Sequence, residues 1–170
     1  SGRYFYFEHP EKTPLSVEET AHALSHLCRF TGHCREFYSV AQHAVLVSYL
    51  VPPEYAFHAL HHDDVEAVLG DMSSPLKKLI PQYKALEHKV ELVIWAGLGL
   101  PAHMPPEVKM ADLRALRTEQ RDLMCVEGGE WPSLVGIEPH PARIQPLPPK
   151  QASELYQERH RELLTKRGAA

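Results

Sequence analysis

The apolar residues of this chain recur at the spacing of an α-helix, and prolines and glycines mark where each helical stretch begins and ends. A capping box formed by Ser16 and Glu19 predicts a first helix over about 17–28. Ser39 repeats that start signal before a second, more apolar helix. The pattern therefore favours helices packed on helices.

The next segments continue this pattern after an aromatic opening. Pro53 can begin a third helix that ends at Gly70. Two longer helices are predicted from Tyr83 to Ala96 and from Pro106 to about Met124. The opening, Tyr4 to Phe7, favours a short β-hairpin or an extended segment. We therefore expect an all-α bundle with a short N-terminal β-hairpin or extended segment.

Glycine and proline crowd residues 127–149, where regular helix is not expected. We expect this segment to wrap the bundle as an extended strap, followed by a polar C-terminal helix over 151–166. The chain has 170 residues, no internal repeat and no low-complexity linker. The prediction is one domain over 1–170, with its core at about 16–124.

The charge balance argues against binding to polymers. The formal net charge is −4 at pH 7, so no overall positive field attracts the chain to nucleic acid or acidic lipid. No apolar run is long enough to span a bilayer. The three cysteines lack Cys-x-x-Cys spacing, which argues against a disulfide framework and a thiolate zinc site. The start has no secretory pattern, so we expect a soluble, cytoplasmic protein.

Imidazoles and carboxylates occur on separate apolar stretches, as His43, the His62-Asp63 pair and Asp112. Such groups can converge on one divalent metal, and without thiolates they suit an open site for Zn²⁺, Mn²⁺, Fe²⁺ or Co²⁺. On a continuous helix His62 and Glu66 would share one face, with Asp63 able to reach the same centre. The alternative for this segment is a solvated charged face. Its apolar flanks favour the metal site, because buried charges need a partner.

Several short motifs occur in a defined order along the chain. They are Ala21 to His33 with Arg29 and Phe30, Phe37 to His43, Leu60 to Ala67 with His62-Asp63, Gly70 to Lys77, and Lys109 to Asp112. In this order they resemble the HD-domain metal-dependent phosphohydrolases, in particular the small bacterial and phage-borne branch related to 5′-deoxynucleotidases. The resemblance runs from about Gly2 to Asp122.

The resemblance implies a metal centre and two catalytic carboxylates. The ligands of a divalent transition metal (Mn, Co, Zn, Fe or Ni) would be His43, His62, Asp63 and Asp112. Glu66 matches the residue that orients or deprotonates the attacking water, although it could instead fix a ligand histidine. Asp71 matches an acid near the leaving group and the sugar hydroxyl, although it could simply cap a loop or helix.

The resemblance also implies residues that bind the substrate. Arg29 matches a phosphate-facing arginine whose forked guanidinium can hold two oxygens. Lys77 could add a point charge or be ordinary surface, and His33 could donate to the phosphate or be a loop histidine. Phe30 stands where some nucleotidase relatives have Trp against the sugar or base, so discrimination between deoxyribose and ribose stays open.

The function that the resemblance implies is hydrolysis of a nucleotide phosphate ester, as a (deoxy)nucleoside 5′-monophosphate phosphatase. One alternative is a deoxynucleoside triphosphate triphosphohydrolase that releases tripolyphosphate and needs more cations, such as Lys78, Lys84 or Arg114. Another is a non-enzymatic, metal-stabilised nucleotide-binding or regulatory module. We expect a small-molecule nucleotide as partner, without nucleic-acid polymer or membrane. The apolar face of 83–96, with Trp95, would serve either a homodimer or the core.

Overall fold

The computed structural model describes residues 2–125 and 131–168, and its regular structure is helical. The α-helices in these ranges are α1 (Val17–His26), α2 (Val40–Tyr49), α3 (Ala56–Leu60), α4 (Glu66–Leu69), α5 (Ser74–Lys77), α6 (Pro81–Gly97), α7 (Pro106–Leu123) and α8 (Pro149–Gly168). No strand occurs within them, and one isolated antiparallel bridge joins Cys28 to Ser39. The all-α prediction is confirmed.

The first two helices start where their capping residues predict. At α1 the Ser16 side chain accepts from the Glu19 N–H at 3.2 Å, and the Glu19 carboxylate accepts from the Ser16 N–H at 3.0 Å. At α2 the Ser39 hydroxyl accepts from the Gln42 N–H at 3.2 Å. The Gln42 side chain does not close a second box, because its amide instead binds the backbone of Gln145 and Leu147. It ties the strap to α2.

The predicted N-terminal β-hairpin is wrong. Residues 2–9 contain no strand, and the side chains of Tyr4 and Tyr6 are 86% and 57% exposed. A hairpin needs a second strand to satisfy its backbone, and the chain instead enters a 3-10 turn at Pro10–Lys12. Residues 2–6 have no regular structure, and residues 7 and 8 form a turn.

The single third helix predicted from Pro53 to Gly70 is also wrong. Helix α3 ends at Leu60, residues 61–65 form turns, and α4 begins at Glu66. The Glu66 N–H donates to Asp63 O at 3.0 Å, three residues back, where a continuous α-helix would use the fourth. The backbone hydrogen bond here joins residues three apart and not four apart. His62 and Asp63 therefore lie on a turn and not on a helical face.

Two apolar clusters hold the helices together. One joins α1, α2, α3 and α8, and its fully buried members include Leu24, Val40, Leu60 and Tyr156. The other joins α2 and α3 to α7 through Val47, Ala59, Val108, Ala111 and Ala115. Helix α2 belongs to both clusters, so the second one brings α2, the end of α3 and the first half of α7 close together.

Helix α6 contributes to the interior. The Trp95 side chain is 2% exposed, and its indole N–H donates to His61 O at 3.2 Å. Trp95 was expected to lie either at a partner surface or in the core, and the structure supports the core. No helix within the described ranges combines the length and apolar character needed to cross a membrane.

The described part of the strap runs from Trp131 to Pro148 without α-helix, apart from a 3-10 turn at Pro132–Leu134. Residues 126–130 lie outside the described residues, so the expectation for them stays a prediction. Asp122 at the end of α7 fastens this segment by accepting from the Ile144 N–H at 3.0 Å and the Arg143 guanidinium at 2.5 Å. Hydrogen bonds from Arg121 and then from Ile144 and Arg143 hold the pKa of the Asp122 carboxyl well below its usual range.

We expect Asp122→Asn to lower the free energy of unfolding by about 2 kcal/mol at pH 7, because charge-assisted hydrogen bonds to the strap are weakened. Since the folded-state pKa is depressed, this stabilisation is fully present above the ordinary aspartate pKa of about 3.9, begins to fall below it, and is lost completely only as the pH falls through the folded-state pKa. Urea denaturation at pH 7 and pH 3 measures the difference, with the exposed strap residue Glu138→Gln as control. An equal deficit at both pH values would contradict this account.

Candidate metal centre

The predicted ligands meet where α2, the 61–65 turn and α7 converge. His43 Nε2 lies 3.4 Å from Asp112 Oδ1 and 3.5 Å from Asp63 Oδ2, and His62 Nε2 lies 3.1 Å from Asp63 Oδ2. His43, His62 and Asp112 each present one ligand atom, and these atoms all lie within 4.8 Å of one another. This group could hold a metal ion, and Asp63 lies beside it.

The two imidazoles are oriented by their Nδ1 atoms. His43 Nδ1 donates to Glu119 Oε1 at 2.6 Å, and His62 Nδ1 donates to Ala59 O at 2.8 Å. Since Nδ1 is the donor in both rings, Nε2 is the atom that each imidazole directs at the cluster. Both Nε2 atoms are buried and have no hydrogen-bond partner within the part of the chain that the structure describes. Two buried, unpartnered imidazole nitrogens beside two carboxylates are a donor set that suits a divalent cation.

The charges of the cluster favour a cation. Burial raises the pKa of Asp63 and Asp112, but the imidazoles of His62 and His43 outweigh it and hold both carboxyls below their usual range. Burial lowers the pKa of His43, while the carboxylates of Glu119 and Asp112 raise it to about 9. Both carboxylates are therefore ionised at neutral pH, and a metal would replace a proton on the imidazoles.

Glu119 is a residue of this site that the sequence interpretation missed. It is fully buried, and it accepts from His43 Nδ1, from Arg29 Nε at 3.1 Å and from Arg29 Nη2 at 2.9 Å. Glu119 lies two helical turns after Asp112 on α7, on the same face of the helix. That spacing is the signal that could have found it.

The predicted substrate residues after α1 differ in burial and in their contacts with the cluster. Arg29 is buried, and its Nη1 lies 4.0 Å from Asp63 Oδ2, so the guanidinium borders the cluster. The half-buried Phe30 ring lies against it, with 5.2 Å between the ring centroid and the Arg29 Cζ. His33 is exposed, and its ring makes no hydrogen bond among the described residues. The role of His33 in binding the phosphate stays a prediction.

Glu66, Asp71 and Lys77 form a second group of charged residues, which the charge of Asp63 reaches. Glu66 is buried, its Oε1 lies 3.7 Å from Lys77 Nζ, and its Oε2 has no partner in the described chain. Burial, followed by the charges of Asp63 and Asp71, raises the pKa of Glu66 well above its usual value. Burial and then Asp63 raise the pKa of the half-buried Asp71 as well. Lys77 also contacts Glu87 Oε1 at 2.5 Å, a partner that the sequence did not indicate.

Comparison with known proteins gives a family without an assigned activity. The chain is 47% identical over 167 residues to the uncharacterized protein YfdR of Escherichia coli K12, which covers 96% of this chain and 92% of YfdR. The chain belongs to the YfdR family. An uncharacterized protein of Rhodobacter capsulatus is 30% identical over 183 residues, covering 96% of this chain and 93% of that protein. No family model matches the chain, so a function for this YfdR relative is argued from its site.

We expect Glu119→Ala to lower the free energy of unfolding by about 3–5 kcal/mol, because the variant leaves Arg29 buried without its anion. It also frees His43 Nδ1, so divalent-metal affinity falls about 10- to 100-fold. Urea denaturation and equilibrium dialysis with Mn²⁺ or Zn²⁺ measure the two effects. The matched control is Glu107→Ala, an exposed acid on the same helix. Equal stability and metal affinity in the two variants would contradict the role given to Glu119.

Proposed function

We propose that this protein is a metal-dependent phosphohydrolase that cleaves the phosphate ester of (deoxy)nucleoside 5′-monophosphates. The observation that carries the proposal is the pair of buried, unpartnered Nε2 atoms of His43 and His62 facing two ionised carboxylates. An arginine borders the cluster, and the charge of Asp63 acts on an unpartnered glutamate, Glu66. A purely structural ion site requires neither of these groups, which favours an enzyme over a binding module.

We assign the chain to the HD-domain phosphohydrolases on its motifs. The order His43, His62-Asp63, Asp112 is the order that the resemblance rests on, and the helical fold is compatible with it. The side chains that this order would bring together are close in space. Both observations support the assignment, and a demonstrated activity would test it.

The donor set fits a divalent transition metal such as Mn²⁺, Co²⁺, Zn²⁺, Fe²⁺ or Ni²⁺. Imidazole nitrogens and carboxylate oxygens suit these ions, and His43, His62, Asp63 and Asp112 would hold one. When bound, such an ion polarises the phosphoryl group and lowers the pKa of a bound water.

In the proposed reaction, Arg29 binds the phosphate of the substrate. Its Nε and Nη2 are held by Glu119, which fixes the plane of the guanidinium, while Nη1 faces the cluster beside Asp63. A fixed, fully charged fork can bind a phosphate oxygen without ordering a long side chain at the time of binding. Arg29 thus orients the phosphoryl group toward the attacking water.

Glu66 and Asp71 move the protons. Glu66 Oε2 is free to accept the proton of the attacking water, and its raised pKa brings it closer to the range of an effective general base. As the bond between phosphorus and the ester oxygen breaks, Asp71, whose pKa is also raised, donates a proton to the leaving oxygen. Lys77 contacts the acids Glu66 and Glu87, which favours a role in positioning Glu66 over a direct contact with phosphate.

The charge around the cluster favours one phosphate over three. Arg29 is held by Glu119, Lys77 is held by two glutamates, and the surrounding acids include Asp63 and Asp112. Of the further cations considered for a triphosphate, Lys78 and Lys84 are exposed and Arg114 is half-buried, and none of the three forms an ion pair with the cluster among the described residues. A triphosphate would bring more negative charge than this set can balance.

We expect release of inorganic phosphate from deoxynucleoside 5′-monophosphates in the presence of Mn²⁺ or Co²⁺. Asp63→Ala removes a metal carboxylate and abolishes this release, while Glu66→Gln removes the proton acceptor and slows it by about 10²- to 10⁴-fold. A coupled phosphate assay with mono-, di- and triphosphates measures the rates. Glu107→Gln is the matched control and keeps full activity.

Two results would decide against this function. Release of tripolyphosphate from deoxynucleoside triphosphates would favour the triphosphohydrolase. No metal-dependent product from any nucleotide, with metal still bound, would favour a binding module.

A further inference from the structure

Two aromatic rings that are distant in the sequence meet beside Arg29, the arginine that borders the metal cluster. The ring centroids of Phe30 and Trp131 lie 6.1 Å apart, with 59° between the ring planes. Phe30 also lies beside the Arg29 guanidinium, whose Nη1 borders the cluster. The sequence interpretation assigned no role to Trp131, which belongs to the strap.

The backbone at Phe30 holds an unusual conformation. Phe30 and Thr31 have backbone φ angles of 57° and 53°, in the left-handed region that residues other than glycine rarely adopt. In this conformation Arg29 is buried against Glu119, while the adjacent Phe30 ring is half-buried beside the Arg29 guanidinium. Strained residues of this kind often occur where a ligand is clamped.

Trp131 is held in place by its own turn. The Leu134 N–H donates to Trp131 O at 2.8 Å, and the Leu134 side chain is fully buried. The strap is fastened to α7 farther along by Asp122. The half-buried indole is therefore fixed at the backbone while part of its surface stays accessible to a ligand.

We propose that Trp131, supported by Phe30, stacks on the nucleobase of the substrate, so that the site favours a nucleotide over the corresponding sugar phosphate. This inference rests on the proposed function. The guanidinium of Arg29 marks the phosphate end, and the ring pair marks the other end of the same molecule. Aromatic side chains stack on any base, which gives affinity for nucleotides without selecting one sequence or base.

Kinetics with two substrates tests the proposal. Trp131→Ala is expected to raise the KM for a deoxynucleoside 5′-monophosphate about ten-fold, in line with a lost base stack, and to leave kcat/KM for deoxyribose 5-phosphate unchanged. Trp131→Phe keeps a stacking face and restores most of the affinity. Tyr6→Ala, which removes an exposed aromatic ring elsewhere, is the matched control. Equal losses on both substrates would overturn the proposal while leaving the proposed function intact.

Fluorescence gives a second readout that does not require turnover. The chain has two tryptophans, and Trp95 is buried. In the Glu66→Gln background with Mn²⁺ replaced by non-quenching Zn²⁺, a deoxynucleotide should quench a saturable part of the emission, and the further change Trp131→Phe should abolish that quenching. Deoxyribose 5-phosphate should not quench. If no substrate is hydrolysed, the proposed function fails, and this titration alone decides the inference: absence of quenching by a nucleotide overturns it.

Discussion

The buried carboxylate of Glu119 is the interaction on which the rest of the site depends. Its two oxygens accept from His43 on one side and from Arg29 on the other, so one side chain orients both a metal-ligand candidate and a phosphate-binding candidate. Burying three ionisable groups together is stable only because each satisfies the others. Helix α7 also carries Asp112, so its packing against α2 sets the geometry of the whole cluster.

The break between α3 and α4 has a consequence for chemistry. If 53–70 were one helix, His62 and Glu66 would be neighbours on a single face and would crowd the same point. The turn at 61–65 instead presents His62 and Asp63 toward α2 and α7, while Glu66 begins a new helix and contacts Lys77. The arrangement separates groups suited to hold a metal from the group suited to accept a proton.

Structural features that are set by neighbouring residues could be predicted well from the sequence. Features that depend on contacts between distant residues could not. The capping box at Ser16 and the proline-bounded start of α7 are local, so the sequence alone locates them. The break after Leu60 could not be predicted, because the flanking apolar residues keep helical spacing and the turn is set by tertiary contacts. Glu119 shares a helical face with Asp112, but it lies in a polar stretch typical of a helix surface, so its spacing could suggest a place in the site and not its burial or its contact with Arg29. Trp131 was missed because its partner, Phe30, is distant in the sequence.

The central claim is that His43, His62, Asp63 and Asp112 bind one divalent cation. Anomalous diffraction from crystals grown with Mn²⁺ or Zn²⁺, recorded on both sides of the metal absorption edge, tests it most directly. The account predicts one anomalous peak per chain at about 2.0–2.2 Å from the Nε2 atoms of both histidines and from carboxylate oxygens. A cluster that carries no peak, or a peak coordinated by Nδ1 or by other residues, would contradict it.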